Sequence, residues 1–322
     1  MRSFPELIDI GIMGTCISAE KGLCAEAGID CYQSALICRR PNMSFENYCK
    51  IINQCKGRTF QVALGGAGDP NKHDCFEEIL SISRKNLIVP NMTTSGNNLT
   101  DSEITLIKKY CGAVAVSFYS RLVENDKETN NTTISAIERL VKAGCTTNVH
   151  YVLSKKSIRE AIYRIENNKF PKGINAVIFL LYKPVGLAKK ENMLTYNDSK
   201  YIELIQNIAK YKGEFEIGFD SCQSPAVLRF SNDVAIESVQ FCDATRFSMY
   251  IDCEMKAYPC SFGINFNEYS IDINHSLIEA AWNSQLFESF REKQAHICNH
   301  CLNAPNCRNC VFDIGVNVCG EL

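Results

Sequence analysis

The chain has 322 residues, 46% of them hydrophobic and 22% charged, which is enough to bury one large core or two ordinary ones. A formal net charge of −2 gives no reason to expect a nucleic acid or an anionic membrane as partner. The longest apolar run, 176–182, is too short to span a bilayer, and the N-terminus lacks the basic and apolar regions of a secretion signal.

Cysteine is unusually frequent, with 18 in the chain. Because no secretion signal is present, we expect a cytoplasmic protein. In such proteins clustered cysteines are more often metal ligands, cluster ligands or catalytic groups than disulfides.

Between about residues 6 and 220, runs typical of strands alternate with amphipathic patterns typical of helices. The predicted strands are 6–13, 59–64, 86–92, 113–118, 146–153, 176–181 and 214–219. The predicted helices are 44–55, 73–83, 100–110, 133–142, 157–167 and 198–211. This α/β alternation predicts a parallel sheet, either open and doubly wound or a partial (β/α) barrel. In both, ligands bind at the C-terminal ends of the strands.

After about residue 222 the predicted elements shorten and cysteines become dense. We therefore expect two domains, 1–220 and 221–322, the second small and held by metal. One helix is predicted there, 276–293, and it contains the only tryptophan, Trp282.

Three cysteines, Cys16, Cys24 and Cys31, follow the first predicted strand in one loop. Thiolates are the natural ligands of iron–sulfur clusters, and three of them would leave one iron of a cubane open to a small ligand. The alternatives are a zinc site or ordinary buried cysteines, although zinc normally takes four ligands in closer pairs. Cys38 continues the spacing, so a set of Cys24, Cys31 and Cys38 stays open.

The sequence Gly-Gly-Ala-Gly-Asp-Pro, residues 65–70, directly follows the second predicted strand. Glycines let the backbone approach a ligand closely, and Asp69 could receive an ammonium group. A tight turn between strand and helix is the alternative, and the spacing is not that of a dinucleotide fingerprint.

Polar side chains also stand on or at the ends of later predicted strands, at Thr94, Ser117, Asn148, His150 and Lys183. At each position a ligand contact competes with an ordinary hydrogen-bonded or solvated side chain.

The C-terminal cysteines form the pattern Cys298-x2-Cys301-x5-Cys307-x2-Cys310-x8-Cys319. Upstream of them lie Cys222, Cys242, Cys253 and Cys260. Cysteines in this pattern could be ligands of iron–sulfur clusters, and the alternative is a zinc module that would include His296 and His300. The five other cysteines are interpreted as small buried hydrophobic residues: Cys49, Cys55, Cys75, Cys111 and Cys145.

The first cysteine loop, which ends in Cys31-Tyr32, together with the glycine sequence after the second strand, resembles the radical S-adenosylmethionine superfamily. That family usually spaces its cysteines as Cys-x3-Cys-x2-Cys, whereas the gaps between the three cysteines are longer in this sequence. The C-terminal pattern resembles the SPASM domain of the same superfamily, with Met255 in place of a glycine and one residue fewer after Cys307.

This resemblance implies a partial (β/α)6 TIM-like barrel followed by a small Cys-rich SPASM domain. It implies that Cys16, Cys24 and Cys31 hold the [4Fe–4S] cluster that binds S-adenosylmethionine. The implied contacts of that cofactor are Gly65, Gly66, Asp69, Thr94, Ser117, Asn148 and His150. Two auxiliary [4Fe–4S] clusters are implied, an outer one on Cys298, Cys301, Cys307 and Cys319 and an inner one on Cys222, Cys242, Cys260 and Cys310. Cys253 is a spare that could replace Cys222.

The activity that the resemblance implies is reductive cleavage of S-adenosylmethionine to a 5′-deoxyadenosyl radical, which abstracts hydrogen from a ribosomal precursor peptide. The first hypothesis is formation of a thioether or carbon–carbon crosslink. The alternatives are oxidation of a cysteine or serine to formylglycine, epimerisation of a peptide residue and, without enzyme activity, a zinc-bound interaction module. The implied partners are the peptide and an electron donor such as flavodoxin or ferredoxin; no catalytic proton acceptor is assigned.

Overall fold

The computed structural model describes residues 3–22, 24, 29–34, 39–119, 122–123, 127–128, 131–208, 210–231, 234, 236–296, 307–308, 310–312 and 314–320. The predicted ligands Cys298 and Cys301 and the alternatives Cys38 and His300 lie outside these residues, so their roles stay predictions.

Twelve strands and ten α-helices make up the described chain. The strands are β1 (Leu7–Met13), β2 (Gln61–Gly66), β3 (Val89–Thr94), β4 (Val114–Ser117), β5 (Leu122–Val123), β6 (Lys127–Glu128), β7 (Thr147–Leu153), β8 (Ala176–Leu181), β9 (Glu216–Phe219), β10 (Ser248–Ile251), β11 (Lys256–Tyr258) and β12 (Ile271–Asp272). The helices are α1 (Ile17–Glu20), α2 (Phe45–Cys55), α3 (Phe76–Lys85), α4 (Asp101–Tyr110), α5 (Asn131–Lys142), α6 (Ile158–Glu166), α7 (Ser199–Ile208), α8 (Ser224–Phe230), α9 (Ile278–Trp282) and α10 (Gln285–His296).

Ten strands form one sheet in the order β12-β11-β10-β1-β2-β3-β4-β7-β8-β9. Every neighbouring pair from β10 to β9 is parallel, whereas β11 and β12 are antiparallel additions at one end. Among the described residues the two ends of the sheet do not pair, so the barrel is open. The predicted fold class, an α/β partial barrel on a parallel sheet, is therefore confirmed.

The seven predicted strands are all present, each within three residues of its expected start. The predicted helix 276–293 is wrong, because it is two helices that meet between Trp282 and Gln285. The Asn283 side chain donates to the Glu279 carbonyl at 2.8 Å, and the Ser284 hydroxyl accepts from the Phe287 amide at 3.3 Å. Ser284 thus caps a new helix inside a run that keeps its apolar pattern.

The first strand separates two environments, since alternate residues of a strand point to opposite faces. Ile8, Ile10 and Ile12 are fully buried in the large hydrophobic core, which also contains the apolar face of α2. Asp9 and Gly11 lie on the opposite, inner face. A Cβ added at Gly11 would lie 2.2 Å from the hydroxyl oxygen of Tyr250, so the inner face leaves no room for a side chain there.

Parallel register extends this inner face across the sheet. Asn148 pairs with Ala115, which pairs with Thr93. Two residues further along the same strands, Ser117 pairs with His150. The inner face is therefore polar near the C-terminal edge of the sheet, where the resemblance places the ligand.

A second hydrophobic cluster lies apart from the main core and consists of Val185, Ala244, Phe290, Phe312 and Ile314. The rings of Phe266 and Phe312 stack there with centroids 4.9 Å apart. Three predicted ligands, Cys242, Cys260 and Cys310, pack against this cluster. The division at residue 220 stays a prediction, and β10 to β12 continue the sheet of the first part.

Four of the five cysteines interpreted as structural contact the main core: Cys55 is fully buried, and Cys75, Cys111 and Cys145 pack against its edge. Within the described residues no helix is both long and apolar enough to cross a membrane.

We predict that Asp9→Asn stabilises the protein increasingly as the pH rises from 5 to 8. Burial, with a smaller contribution from the charge of Asp243, raises the pKa of Asp9 from 3.8 to about 7. The folded state therefore binds more protons than the unfolded state between pH 4 and 7, and the native protein loses stability as the pH rises through this range. The advantage of the variant should be about 3 kcal/mol larger at pH 8 than at pH 5.

Urea unfolding of the full chain at both pH values measures this difference. The exposed Glu78→Gln is the matched control, because it also neutralises one carboxylate and should show no such pH dependence. Equal changes for Asp9→Asn at pH 5 and pH 8 would show that the Asp9 carboxyl is not desolvated.

Candidate functional site

Cys16, Cys24 and Cys31 gather beyond the C-terminal end of β1, close enough for their charges to interact. Burial, then the charges of Cys16, Cys31 and Asp69, raise the pKa of the Cys24 thiol to about 11. Burial also raises the pKa of Cys16, with contributions in the same direction from Asp69 and Cys31. The three thiols predicted to hold the first cluster therefore share one environment with Asp69.

The cysteine loop begins with a tightly packed turn. The side-chain oxygen of Asn42 accepts hydrogen bonds from the Gly14 amide at 2.9 Å and from the Thr15 hydroxyl at 3.3 Å. A Cβ added at Gly14 would lie 2.3 Å from the carbonyl oxygens of Arg40 and Pro41. The Cys16 sulfur then accepts the Ala19 amide at 3.4 Å and caps the short helix α1. These contacts fix the backbone on both sides of Cys16.

Cys31 is held from the other side of the barrel, by the segment after β8. The Leu187 amide donates to the Cys31 carbonyl at 3.0 Å. Gly186 has a φ of +63°, and a Cβ there would lie 2.4 Å from the Tyr32 carbonyl oxygen. One carboxylate oxygen of Asp30 accepts the Tyr182 hydroxyl at 2.7 Å. The position of Cys31 thus depends on residues about 150 positions away in the sequence.

The glycine sequence after β2 packs directly on the start of the cysteine loop. The Ala67 amide donates to the Met13 carbonyl at 2.8 Å. Cβ atoms added at Gly66 and Gly68 would lie 2.4 Å from the Met13 carbonyl oxygen and 2.3 Å from the Thr15 carbonyl oxygen, and Gly66 has a φ of +120°. The tight-turn interpretation explains both glycines. Gly65 differs, because an added Cβ there meets nothing within 4 Å, so its backbone faces open space.

Asp69 is held by the segment after β3. One of its carboxylate oxygens accepts the Ser95 amide at 2.6 Å and the other accepts the Ser95 hydroxyl at 2.5 Å. Burial raises the pKa of Asp69, whereas the hydrogen bonds from Ser95 lower it. The charge of Lys72 and the Thr94 side chain also lower this pKa, so several neighbours favour the charged carboxylate. Asp69 is therefore a fixed acceptor beside the three thiols.

Thr94 has internal hydrogen bonds. Its hydroxyl donates to the Asn71 side chain at 3.0 Å and accepts the Gly96 amide at 3.1 Å, and the residue is 1% exposed. These bonds hold the turn between β3 and α4, and a contact of Thr94 with a nucleotide stays a prediction.

Ser117, His150 and Asn148 lie on the inner face at different depths. Ser117 and His150 are paired at the C-terminal edge. Asn148 is two residues lower, about 6.5 Å away along the strand, where its side-chain oxygen accepts a hydrogen bond from the Asn175 side chain. Burial lowers the pKa of His150 from 6.5 to about 4, and the charge of Asp220 opposes this. His150 is therefore a neutral imidazole at neutral pH.

Tyr119 was not expected at this site. Burial raises its pKa, a hydrogen bond with Ser117 opposes this, and the charges of Cys24, Asp69 and Cys31 raise it further. Its hydroxyl thus lies between the inner face and the thiols. In the sequence it stands only two residues after Ser117, beyond the end of β4, where no periodicity marks its direction.

A second group of thiols brings together the four residues predicted for the inner auxiliary cluster. Burial raises the pKa of Cys222 to about 12, and the charge of Cys310 contributes. Burial also raises the pKa of Cys242, with contributions from Cys222 and Cys260, and that of Cys260, with contributions from Cys310 and Cys222. These cysteines follow β9, precede β10, follow β11 and lie near the C-terminus, so the fold rather than a local motif brings them together.

Cys253, the predicted spare, has different neighbours. Burial raises its pKa to about 11, and the next largest effects come from Arg40 and Asp252, whose side chains form an ion pair at 3.3 Å. Of the predicted outer set, Cys319 is buried and Cys307 is partly exposed. Among the described residues, no three His, Cys, Asp or Glu side chains are arranged as ligands of a single metal ion.

Comparison with solved structures gives clear neighbours for the whole fold. Streptococcus suis SuiB bound to S-adenosylmethionine superposes with a TM-score of 0.70 at 16% identity, covering 96% of this chain and 73% of SuiB. SuiB bound to the precursor peptide SuiA gives a TM-score of 0.67 at 16% identity, covering 90% and 67% of the two chains. The enzyme anSMEcpe with bound AdoMet and the Cp18Cys peptide gives 0.66 at 14% identity, covering 94% and 87%. No family model and no curated protein matches the sequence.

We predict that Gly68→Ala destabilises the protein by about 1–3 kcal/mol, because its Cβ must displace the backbone at Thr15. Gly65→Ala is the matched control three residues away. It places the same methyl group in open space and should leave the free energy of unfolding unchanged or raise it by up to about 1 kcal/mol. Urea unfolding of the two full-length variants tests this; equal stabilities would contradict the packing of the glycine turn on the cysteine loop.

Proposed function

We propose that this protein is a radical S-adenosylmethionine enzyme that modifies a ribosomally made precursor peptide by forming a thioether or carbon–carbon crosslink. The observation that carries the proposal is the meeting of Cys16, Cys24 and Cys31 with Asp69 at the C-terminal edge of the sheet. The fold supports it, because structures with the same fold contain bound S-adenosylmethionine and peptides.

The donor set suits the cofactors that this function needs. Three thiols held by backbone contacts would bind a [4Fe–4S] cluster and leave one iron for the amino and carboxylate groups of S-adenosylmethionine. When bound, the cluster supplies the electron that cleaves the cofactor to methionine and a 5′-deoxyadenosyl radical. Cys222, Cys242, Cys260 and Cys310 would hold an inner auxiliary cluster, and Cys298, Cys301, Cys307 and Cys319 an outer one.

The residues of the site have distinct tasks in this proposal. The Asp69 carboxylate accepts a hydrogen bond from the ammonium group of the cofactor. The open backbone at Gly65 and the turn at Gly66 lie beside that ammonium group. The hydroxyls of Ser117 and Tyr119, together with Asn148 and His150, line the inner face beside the thiols, and Thr94 would act from the turn after β3. Because the pKa of His150 lies at about 4, its imidazole accepts or donates a hydrogen bond without adding charge at neutral pH.

The polar inner face and the open sheet support a peptide as substrate. A peptide needs hydrogen-bond partners along its backbone, and the polar positions from Asn148 to Ser117 offer them. We further propose that the enzyme works in the cytoplasm with a flavodoxin or ferredoxin as electron donor.

A second candidate function is oxidation of a cysteine or serine of a protein substrate to formylglycine. The fold similarity to anSMEcpe, solved with bound AdoMet and the Cp18Cys peptide, is compatible with a cysteine-containing peptide as substrate. Epimerisation uses the same radical, and a zinc-bound interaction module remains the alternative without enzyme activity.

We predict that replacing Cys16, Cys24 and Cys31 together with alanine abolishes the reductant-dependent release of 5′-deoxyadenosine. The variant should lose about one third of the iron, because the proposed auxiliary ligands remain. Anaerobic iron and sulfide analysis and product detection after reduction with dithionite measure both effects.

The matched control replaces three cysteines that lie on α2 or shortly before β4 and β7, at the opposite edge of the sheet: Cys49, Cys111 and Cys145, none of which is fully buried. It should keep its iron and its activity. Continued release of 5′-deoxyadenosine by the first variant would refute the proposal, and stoichiometric zinc without iron in the parent protein would favour the interaction module.

We also predict the product on a candidate peptide encoded beside this protein. A crosslink removes two hydrogen atoms and leaves the peptide resistant to cleavage between the joined residues. Conversion of cysteine to formylglycine removes sulfur and gives an aldehyde, and epimerisation leaves the mass unchanged. Tandem mass spectrometry with an aldehyde-specific probe separates the first two outcomes, and chiral amino-acid analysis of the hydrolysed peptide distinguishes epimerisation from no reaction. The last two outcomes contradict the crosslinking proposal.

A further inference from the structure

Lys183 is a buried cation at the boundary between the barrel and the second group of thiols. It follows β8 and is 4% exposed. Its ammonium nitrogen lies 3.5 Å from a carboxylate oxygen of Asp220 and 4.1 Å from the centre of the Phe262 ring. These two neighbours each stand two positions in the sequence from a proposed cluster ligand, Asp220 from Cys222 and Phe262 from Cys260. A lysine is almost never fully buried without such partners, so the site is built around its charge.

Several cysteine thiols lie near Lys183 in addition to the Asp220 carboxylate, although an ion pair requires only the carboxylate. The charges of Cys222 and Cys310 act on Lys183, and in turn Lys183 lowers the pKa values of Cys222, Cys260 and Cys310 against the effect of burial. One carboxylate, Asp220, would suffice to neutralise it. Asp220 is itself fixed, because it accepts the Leu181 amide at 3.0 Å and the Gln223 side chain at 3.1 Å.

We propose that Lys183 is the counter-ion of the inner auxiliary cluster and makes that cluster easier to reduce. This inference rests on the proposed function, since it takes Cys222, Cys242, Cys260 and Cys310 as ligands of a [4Fe–4S] cluster. Lys183 is a positioning residue in this role, because it acts through the cluster and not on the substrate.

The physical reason is electrostatic. A [4Fe–4S] core with four thiolates is an anion, and its reduction adds one more negative charge in a site shielded from water. A fixed, buried ammonium group beside the ligand thiolates stabilises the reduced form more than the oxidised form. Net charge and hydrogen bonds to sulfur are known determinants of the reduction potential of such clusters.

The test uses the full chain carrying alanine at Cys16, Cys24 and Cys31, so that only auxiliary clusters are observed. A redox titration with dithionite and mediators, followed by electron paramagnetic resonance, gives their midpoint potentials. The transition of the inner cluster is the one that a further Cys242→Ala removes. In this background Lys183→Met should lower the ratio of reduced to oxidised inner cluster at least tenfold at fixed ambient potential, a negative shift of 59 mV or more.

Three further variants separate charge from packing. Lys183→Arg keeps the charge and should leave the potential close to that of the parent. Lys189→Met removes an exposed lysine six residues away and should have no effect. Asp220→Asn removes the negative partner and should shift the potential in the positive direction. A general loss of packing would not produce opposite signs for Lys183→Met and Asp220→Asn.

The outcomes distinguish this inference from the proposed function. An intact inner cluster whose potential is unchanged in Lys183→Met overturns the role of Lys183 and leaves the proposed function standing. If Lys183→Met fails to retain the cluster, Asp220→Asn decides: a positive shift supports the inference, and no shift or a negative one overturns it. Absence of any iron–sulfur signal in the parent, with zinc in its place, overturns both.

Discussion

The close contact between two backbones at the C-terminal edge of β1 and β2 is the constraint on which the site depends. Gly68 lies against the Thr15 carbonyl, where even a methyl group does not fit, and the adjacent Ala67 amide bonds to Met13. This contact joins the cysteine loop to the glycine turn with little contribution from side chains. Because both strands are parallel, the two loops leave the sheet at the same edge, and Asp69 lies beside the thiols.

The two faces of the sheet have different roles: the outer face packs the hydrophobic core, and the inner face carries the polar groups of the site. Ile8, Ile10 and Ile12 are completely buried on the outer face, and the hydrophobic core is built there. The inner face carries polar groups, and burial shifts their pKa values so that the uncharged form is favoured. Burial makes Asp9 neutral below about pH 7 and His150 neutral above about pH 4. Near pH 6 these two inner groups therefore add almost no charge, which suits an interior that must exclude water.

The parts of the fold that follow from short-range periodicity could be predicted from the sequence. The seven parallel strands and the capping box of Thr100 with Glu103 are of this kind, because each depends on residues within a few positions. The break at Ser284 was missed because a capping hydroxyl competed with an apolar pattern that continues through it. The support of Cys31 by Gly186 and the approach of Tyr119 to the thiols could not be predicted, since both depend on how distant strands align.

The two thiol groups also have different charged neighbours: the first has a carboxylate, and the second has an ammonium group that is paired with the Asp220 carboxylate. A carboxylate, Asp69, acts on Cys16 and Cys24, whereas an ammonium group, Lys183, acts on Cys222 and Cys310. If both groups hold clusters as proposed, the carboxylate disfavours an added electron at the first and the ammonium favours one at the second. The first cluster is then the stronger reductant, as a donor of electrons to a sulfonium must be, and the second is the better acceptor. The fold would thus set the direction of electron flow with two side chains, each fixed by hydrogen bonds to a neighbouring strand end.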